Sequence, residues 1–130
     1  MSDTDTIRIH VKISTVPPSA NRMRKHFIRD GKVRSVKDDA YKAWKESAAW
    51  ELRSQFKQKI IGPYRLHIHV QRDWGPKRAR DIDNTIKPVS DAVVAAGLVE
   101  DDSLCEAVSA KWSDDVEGVL VILETAERKS

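Results

Sequence analysis

The sequence predicts a single-domain α/β protein, with a mixed sheet covered by two helices and elements in the order β-α-β-α-β-β. Three observations support this prediction. Apolar and polar residues alternate strictly in TIRIHVKIS and YRLHIHV, which is typical of half-buried strands. The apolar spacing changes to three and four residues between these strands and again after the second, which is typical of amphipathic helices. Two further segments, LCEAVSAKW and VLVILE, close the chain as strands. Alternation of strand and helix patterns favours helices packed on a sheet.

The first strand is expected to end at the two prolines of VPPSANR. A basic loop follows over about residues 17–36, with Gly31 at its turn. Such a long connection without regular structure is unusual in a compact domain, and we therefore expect it to be functional or disordered.

The first helix is expected from about Lys37 to Ile60, ended by the Gly62-Pro63 pair. Ser35 or Asp38 is a suitable cap for its start. The apolar residues that fall on one stripe of this helix are Tyr41, Trp44, Ala48, Leu52, Phe56 and Ile60.

The second helix is expected to start close to residues 83–85, because Pro88 is tolerated only in the first turn of a helix. Asp83 or Asn84 would then be its N-cap. Gly97 is expected just beyond its C-terminal end, where a left-handed residue commonly stops a helix.

The chain has 130 residues, which suits one domain spanning 1–130. Its single cysteine, Cys105, rules out an internal disulfide. There is no secretion signal and no apolar run of about 20 residues, so no membrane association is expected and the cytoplasm is the expected location. No Walker-type glycine loop or Rossmann fingerprint is present, and no nucleotide cofactor is expected.

Charge is unevenly distributed along the chain, although the net charge is only +3. Two segments are basic, at residues 22–37 and 72–80, and residues 81–102 are acidic. The cations of the basic segments that a nucleic acid, if one binds, would contact are Arg22, Arg24, Lys25, Arg29, Lys32, Arg34, Lys77, Arg78 and Arg80. Clustered positive charge favours binding to phosphate backbones by counterion release, whereas the alternative is a pair of solvated loops.

The acidic segment contains the candidate chemistry. Asp81 and Asp83 flank Ile82, and in an extended chain both carboxylates would point to one side. A strand returning beside the second helix could bring Asp102 close to them. Three carboxylates at one point repel unless a divalent cation such as Mg²⁺ joins them. Lys87, one helical turn after Asp83, could stabilise charge developing on a phosphate.

Structural explanations compete with this interpretation. Asp81 and Asp83 could cap the helix, and Asp101 and Asp102 could be turn residues. Lys87 and Asp91 could form an exposed pair four residues apart. His67 and His69 could bind a metal, but no cysteine or third histidine supports them, and an exposed polar strand face is favoured.

A longer pattern is more specific than these pairs. The span DIDNTIKPVSDAVVAAGLVEDDSLCEAV resembles the RusA family of crossover junction endodeoxyribonucleases, which resolve Holliday junctions, and PPSANR resembles the family's N-terminal segment. The residues of the longer span that match the family pattern are Asp81, Asp83, Asn84, Lys87, Asp91, Ala92, Gly97, Asp101 and Asp102.

The resemblance implies a homodimeric nuclease that uses Mg²⁺, or Mn²⁺ in its place, on four-way or other branched DNA in recombination and repair. It also implies a bacterial or phage-encoded protein. Asp81, Asp83 and Asp102 would be the catalytic metal ligands, and Lys87 the catalytic lysine. The alternative is a non-catalytic branched-DNA-binding protein with the same fold.

Overall fold

The computed structural model describes residues 6–18, 26–29, 32–35, 37–72 and 82–126, with the backbone alone for 26–29, 32–35 and 37–38. The strands and α-helices are, in chain order, β1 (Arg8–Ile13), β2 (His26–Arg29), β3 (Lys32–Ser35), α1 (Lys37–Gln55), β4 (Tyr64–Gln71), α2 (Ile86–Ala95), β5 (Cys105–Ser113) and β6 (Val119–Thr125). Short 3₁₀ helices, Ile82–Thr85 and Asp102–Leu104, directly precede α2 and β5. The predicted α/β class is confirmed.

Four strands form the main sheet in the order β1-β6-β4-β5. β6 pairs antiparallel with both β1 and β4, whereas β4 and β5 are parallel, so the sheet is mixed as predicted. Two parallel neighbours need a crossover, and α2 lies in the connection between β4 and β5. This β4-α2-β5 unit contains the acidic segment.

One hydrophobic core lies between the two helices and one face of the sheet. The sheet contributes alternate residues of β4, whose Tyr64, Leu66, Ile68 and Val70 are all buried. The helices contribute Leu52 of α1 and Val93 of α2, among others. Both helices therefore cover the same face, and none in the described ranges is long and apolar enough to cross a membrane.

The first helix is shorter than predicted. Trp44, Ala48 and Leu52 are buried as expected, but α1 ends at Gln55 instead of at the Gly62-Pro63 pair. Ile60 is still buried, and its backbone amide donates to the Leu98 carbonyl at 2.7 Å, outside any helix. The apolar spacing therefore identified core residues correctly and misplaced the helix end.

The second helix agrees closely with the prediction at both ends. Helical structure begins at Ile82 and Pro88 lies in the first turn of α2. The N-cap is Thr85, not Asp83 or Asn84, and its side chain donates to the Ile82 carbonyl at 2.7 Å. At the other end Gly97 adopts φ +78°, and its neighbour Leu98 donates to the Val93 carbonyl, which closes a Schellman motif.

The basic loop contains a strand pair that was not predicted from the sequence. β2 and β3 form a two-stranded antiparallel sheet separate from the main one, with Arg29 paired to Lys32. The two residues between these strands in the sequence are Asp30 and Gly31. An Asp-Gly pair between short strands is a strong hairpin signal, and it could have predicted this element.

Candidate functional site

Asp83 and Lys87 lie on one continuous helical segment. Asp83 is exposed on the 3₁₀ turn Ile82–Thr85, and Lys87 is the second residue of α2. The extended geometry considered for Asp81 and Asp83 therefore does not apply from Ile82 onward, although Ile82 does pack against the core as expected. Asp81 lies outside the described residues.

Asp102 and Asp101 have different surroundings. Asp101 caps the 3₁₀ helix that starts at Asp102, and its carboxylate accepts from the Ser103 amide at 3.1 Å. This hydrogen bonding to Ser103 holds the pKa of Asp101 below its ordinary value. Asp102 is exposed, and its carboxylate has no hydrogen bond or ion pair with another described residue. Asp101 is thus a structural cap, and Asp102 is the member of the pair that is free to bind a ligand.

Packing brings the elements that carry these groups into mutual contact. The Asp83 turn contacts β5, and the 3₁₀ turn that begins at Asp102 leads directly into β5 and contacts α2. Within residues 6–18, 37–72 and 82–126, no three acidic, histidine or cysteine side chains converge on one point. The predicted trio requires Asp81, and its assembly stays a prediction.

Lys87 is held by a neighbouring carboxylate. Its Nζ lies 3.4 Å from Oδ2 of Asp91, and the same Asp91 oxygen accepts a hydrogen bond from the Tyr41 hydroxyl of α1. The Lys87 side chain is 82% exposed and that of Asp91 only 23% exposed. Burial, together with the Asp91 carboxylate, raises the pKa of Tyr41, which therefore keeps its proton to donate. The Lys87–Asp91 pair, which the sequence offered as a structural alternative, is present, whereas Tyr41 was expected only as a core residue.

A second tyrosine lies beneath the Asp102 turn. Tyr64 is fully buried, and its hydroxyl has no hydrogen-bond partner among the described residues. The Cys105 thiol is close to this hydroxyl but donates its own hydrogen to the Ala107 carbonyl at 3.3 Å. Burial, Cys105 and the Asp102 carboxylate together raise the pKa of Tyr64. A tyrosine on an otherwise aliphatic strand face was the sequence signal for this polar group.

The predicted DNA-contacting cations fall mostly beyond what the structure describes. Six of them lie on the β2–β3 hairpin or shortly before it in sequence, and only the backbone is described for Arg29, Lys32 and Arg34. Those that lie outside the described residues are Arg22, Arg24, Lys25, Lys77, Arg78 and Arg80. Their contact with DNA stays a prediction.

Comparison with known proteins decides the family. The model of the family described as endodeoxyribonuclease RusA matches residues 14–124, which include both helices and most of the sheet. The chain belongs to the RusA family. Within that family it is 31% identical over 123 residues to the crossover junction endodeoxyribonuclease RusA of Aquifex aeolicus (strain VF5), covering 93% of each chain. It is also 34% identical over 86 residues to the crossover junction endodeoxyribonuclease of Enterobacteria phage HK97, covering 66% of this chain and 68% of the other.

The donor set of this RusA-family chain fits a hard divalent cation. Asp83 and Asp102 offer exposed carboxylate oxygens that other described residues leave unpaired. Oxygen donors of this kind suit Mg²⁺, which keeps several waters and needs only one or two protein carboxylates beside a phosphate. A lysine held nearby by Asp91 adds a positive group that a phosphate could contact.

Proposed function

We propose that this chain is an endonuclease that resolves Holliday junctions by hydrolysing phosphodiester bonds. The observation that carries the proposal is the match of residues 14–124 to the RusA family, together with the relationship to the Aquifex aeolicus enzyme over 93% of the chain. Both relatives named above are crossover junction endodeoxyribonucleases, one from a bacterium and one from a phage. We propose that this protein is likewise encoded by a bacterium or a phage and acts in the cytoplasm.

In this proposal Asp81, Asp83 and Asp102 hold Mg²⁺, with Mn²⁺ able to replace it. The ion would supply Lewis-acid polarisation of the scissile phosphate and a more acidic bound water. The side chains of the protein itself would bind the ion and orient the phosphate. Asp83 lies on the helical turn before α2, Asp102 begins the 3₁₀ turn that Asp101 caps, and Asp91 lies within ion-pair distance of the Lys87 ammonium. Lys87 would then stabilise negative charge on the phosphate oxygens.

The basic segments would hold the arms of the junction. The β2–β3 hairpin carries Arg29, Lys32 and Arg34, and contacts of such cations with phosphates fix a duplex in place without reading its sequence. Two nicks on strands of like polarity need two identical sites, so we propose a homodimer with two-fold symmetry. Light scattering of the purified protein should then give about twice the 14.8 kDa of one chain.

The experiment that tests this function is cleavage of a labelled four-way junction, with a linear duplex of the same arm sequences as the control. With Mg²⁺ we expect paired nicks in two strands of the junction and none in the duplex, and no products when EDTA replaces the metal. Several junction sequences are used, because the enzyme could prefer particular bases at the cut. Salt-sensitive binding without products on every junction would instead identify a non-catalytic branched-DNA-binding protein.

A further inference from the structure

The main sheet has a second face, opposite α1 and α2, which we call the open face. Strand register places alternate residues of the four strands on it, in rows across β1, β6, β4 and β5. The basic and histidine side chains that these rows contain are Arg8, His10 and Lys12 of β1, Arg65, His67 and His69 of β4, and Lys111 of β5.

Positive charge on the open face is poorly compensated. Glu124 of β6 is the one acidic residue in these paired rows, and three neighbours already share it. Arg8 lies 2.6 Å from its carboxylate, His67 3.3 Å and Arg65 3.8 Å. Among the described residues paired in these rows, four lysine and arginine side chains therefore accompany one carboxylate.

The excess of positive charge is greatest in the row farthest from Glu124. That row runs Lys12, Leu120, His69, Lys111 across the sheet. Lys12 and Lys111 are exposed, and neither ammonium has an ion-pair partner among the described residues. Three strand spacings separate them, about 14 Å, which is close to the roughly 12 Å width of the DNA major groove. Cations at this separation can contact both strands of one duplex arm.

His69 lies in the middle of this row and responds to that charge. Its imidazole pKa is lowered below the ordinary 6.5, first by burial and then by the positive charges of Lys111, His67 and His10. The residue opposite it on β6 is the uncharged Leu120. None of the described residues paired with His69 across the sheet is acidic, so the positive potential at the centre of the row is not offset by them.

We propose that the open face binds the phosphate backbone of a junction arm, with Lys12 and Lys111 as its principal contacts. That the ligand is junction DNA rests on the proposed function. That the face contacts a polyanion rests on the charge of the face itself. A polyanion complements an exposed surface with this excess of cations. A second copy of the chain does not, because two-fold symmetry would place the same positive rows opposite each other.

The first test compares two double variants of equal charge. Lys12→Ala with Lys111→Ala removes the two open-face cations, and Lys42→Ala with Lys57→Ala removes two exposed cations, one on α1 and one just beyond its end. Affinity for a four-way junction is measured without metal across a salt series. We expect the open-face variant to bind at least about 10-fold more weakly at low salt, with the slope of log affinity against log salt reduced by about two. The control should stay within about 3-fold of wild type.

The second test uses the histidines as probes, since the chain has only four. NMR titration follows the His69 ring in the free protein and with a metal-free junction, assigned through His69→Gln. Bound phosphates should raise the His69 pKa, and high salt should abolish the effect. An unchanged His69 pKa together with a wild-type salt slope for the open-face variant would overturn the proposal.

Three further outcomes distinguish this proposal from the alternatives. If the open-face variant lowers the molar mass measured by light scattering, the face is an interface between copies and the proposal is wrong. If wild type cleaves junctions while the variant binds them with the wild-type salt slope, only the open-face proposal fails. If wild type never cleaves, but the salt slope of the open-face variant and the His69 pKa change as expected, DNA binding by the open face is supported and the proposed nuclease function is wrong.

Discussion

At the scale of single residues, the position of Lys87 depends on a contact between helices. A lysine side chain that is 82% exposed samples many rotamers, and restraining it costs up to about 2 kcal/mol of entropy. Asp91 lowers that entropy cost, because it already holds the ammonium from the same helix. Tyr41 of α1 in turn donates a hydrogen bond to Asp91. The hydrogen bond from Tyr41 thus links the first helix to the candidate site.

This arrangement predicts an effect on the cleavage step rather than on DNA affinity. Asp91→Asn should lower the cleavage rate at saturating protein by about 10-fold, or ~1.4 kcal/mol, because the ammonium loses its restraint. Tyr41→Phe should lower it by about 3-fold, since Asp91 remains but is less firmly held. Single-turnover cleavage of a labelled junction measures the rate, and junction affinity without metal should be unchanged.

Asp115→Asn is the matched control, because this exposed carboxylate lies in the turn between β5 and β6. It should leave the rate unchanged. A faster Asp91→Asn enzyme would show that Asp91 withholds Lys87 from the phosphate, contrary to the role argued for it. Melting temperatures of all three variants check that lost folding does not cause the effect.

At the scale of elements, the turn between β5 and β6 packs closely against the end of β1. Gly118 has φ +71°, and a Cβ placed there would lie 2.1 Å from the backbone carbonyl oxygen of Ile13. Its carbonyl also accepts from the Gln71 amide at 2.9 Å, so the turn joins β4 as well as β1. No side chain fits without moving the backbone of β1.

A comparison of two glycines separates backbone strain from steric clash. Gly97→Ala should cost about 1 kcal/mol of unfolding free energy, because φ is positive but a Cβ there meets chiefly the movable end of Arg53. Gly118→Ala should cost clearly more than that, since it adds the backbone clash to the same strain. Chemical denaturation measures both, and equal losses would contradict the clash.

The elements also show where sequence patterns are informative. The α2 boundaries were predictable because Pro88 and Gly97 each restrict the backbone locally. The end of α1 was not, because Ile60 continues the apolar spacing but satisfies its amide through Leu98, a residue 38 positions away. The β2–β3 hairpin was missed although its Asp-Gly pair is a local signal.

The candidate site was likewise predictable from the sequence only in part. Its residue types and spacing were predictable from the acidic segment and from the family resemblance. The Tyr41 hydrogen bond to Asp91 was not, since it joins residues 50 positions apart on different helices. The open face could be seen only in part, because alternation placed His67 and His69 on one strand face without the strand order that puts Lys12 and Lys111 beside them.

At the scale of the whole molecule, the sheet separates two kinds of surface. The acidic segment lies on the β4-α2-β5 unit, and the positive rows of the open face lie opposite the helices. A polyanion would be repelled by bare carboxylates and attracted by the cations, so DNA binding and metal binding support each other in this account.

In the proposed function, Asp83 belongs to a metal site at which branched DNA is hydrolysed. Asp83→Asn preserves shape and removes the charge of an exposed carboxylate, so folding should match wild type and metal-free junction binding should be no weaker. The decisive measurement is single-turnover cleavage of a four-way junction with Mg²⁺ by wild type, Asp83→Asn and the Asp115→Asn control. We predict a loss of at least about 100-fold for Asp83→Asn alone, or ~2.7 kcal/mol. Cleavage by Asp83→Asn within a few-fold of wild type would show that Asp83 is not part of a catalytic metal site.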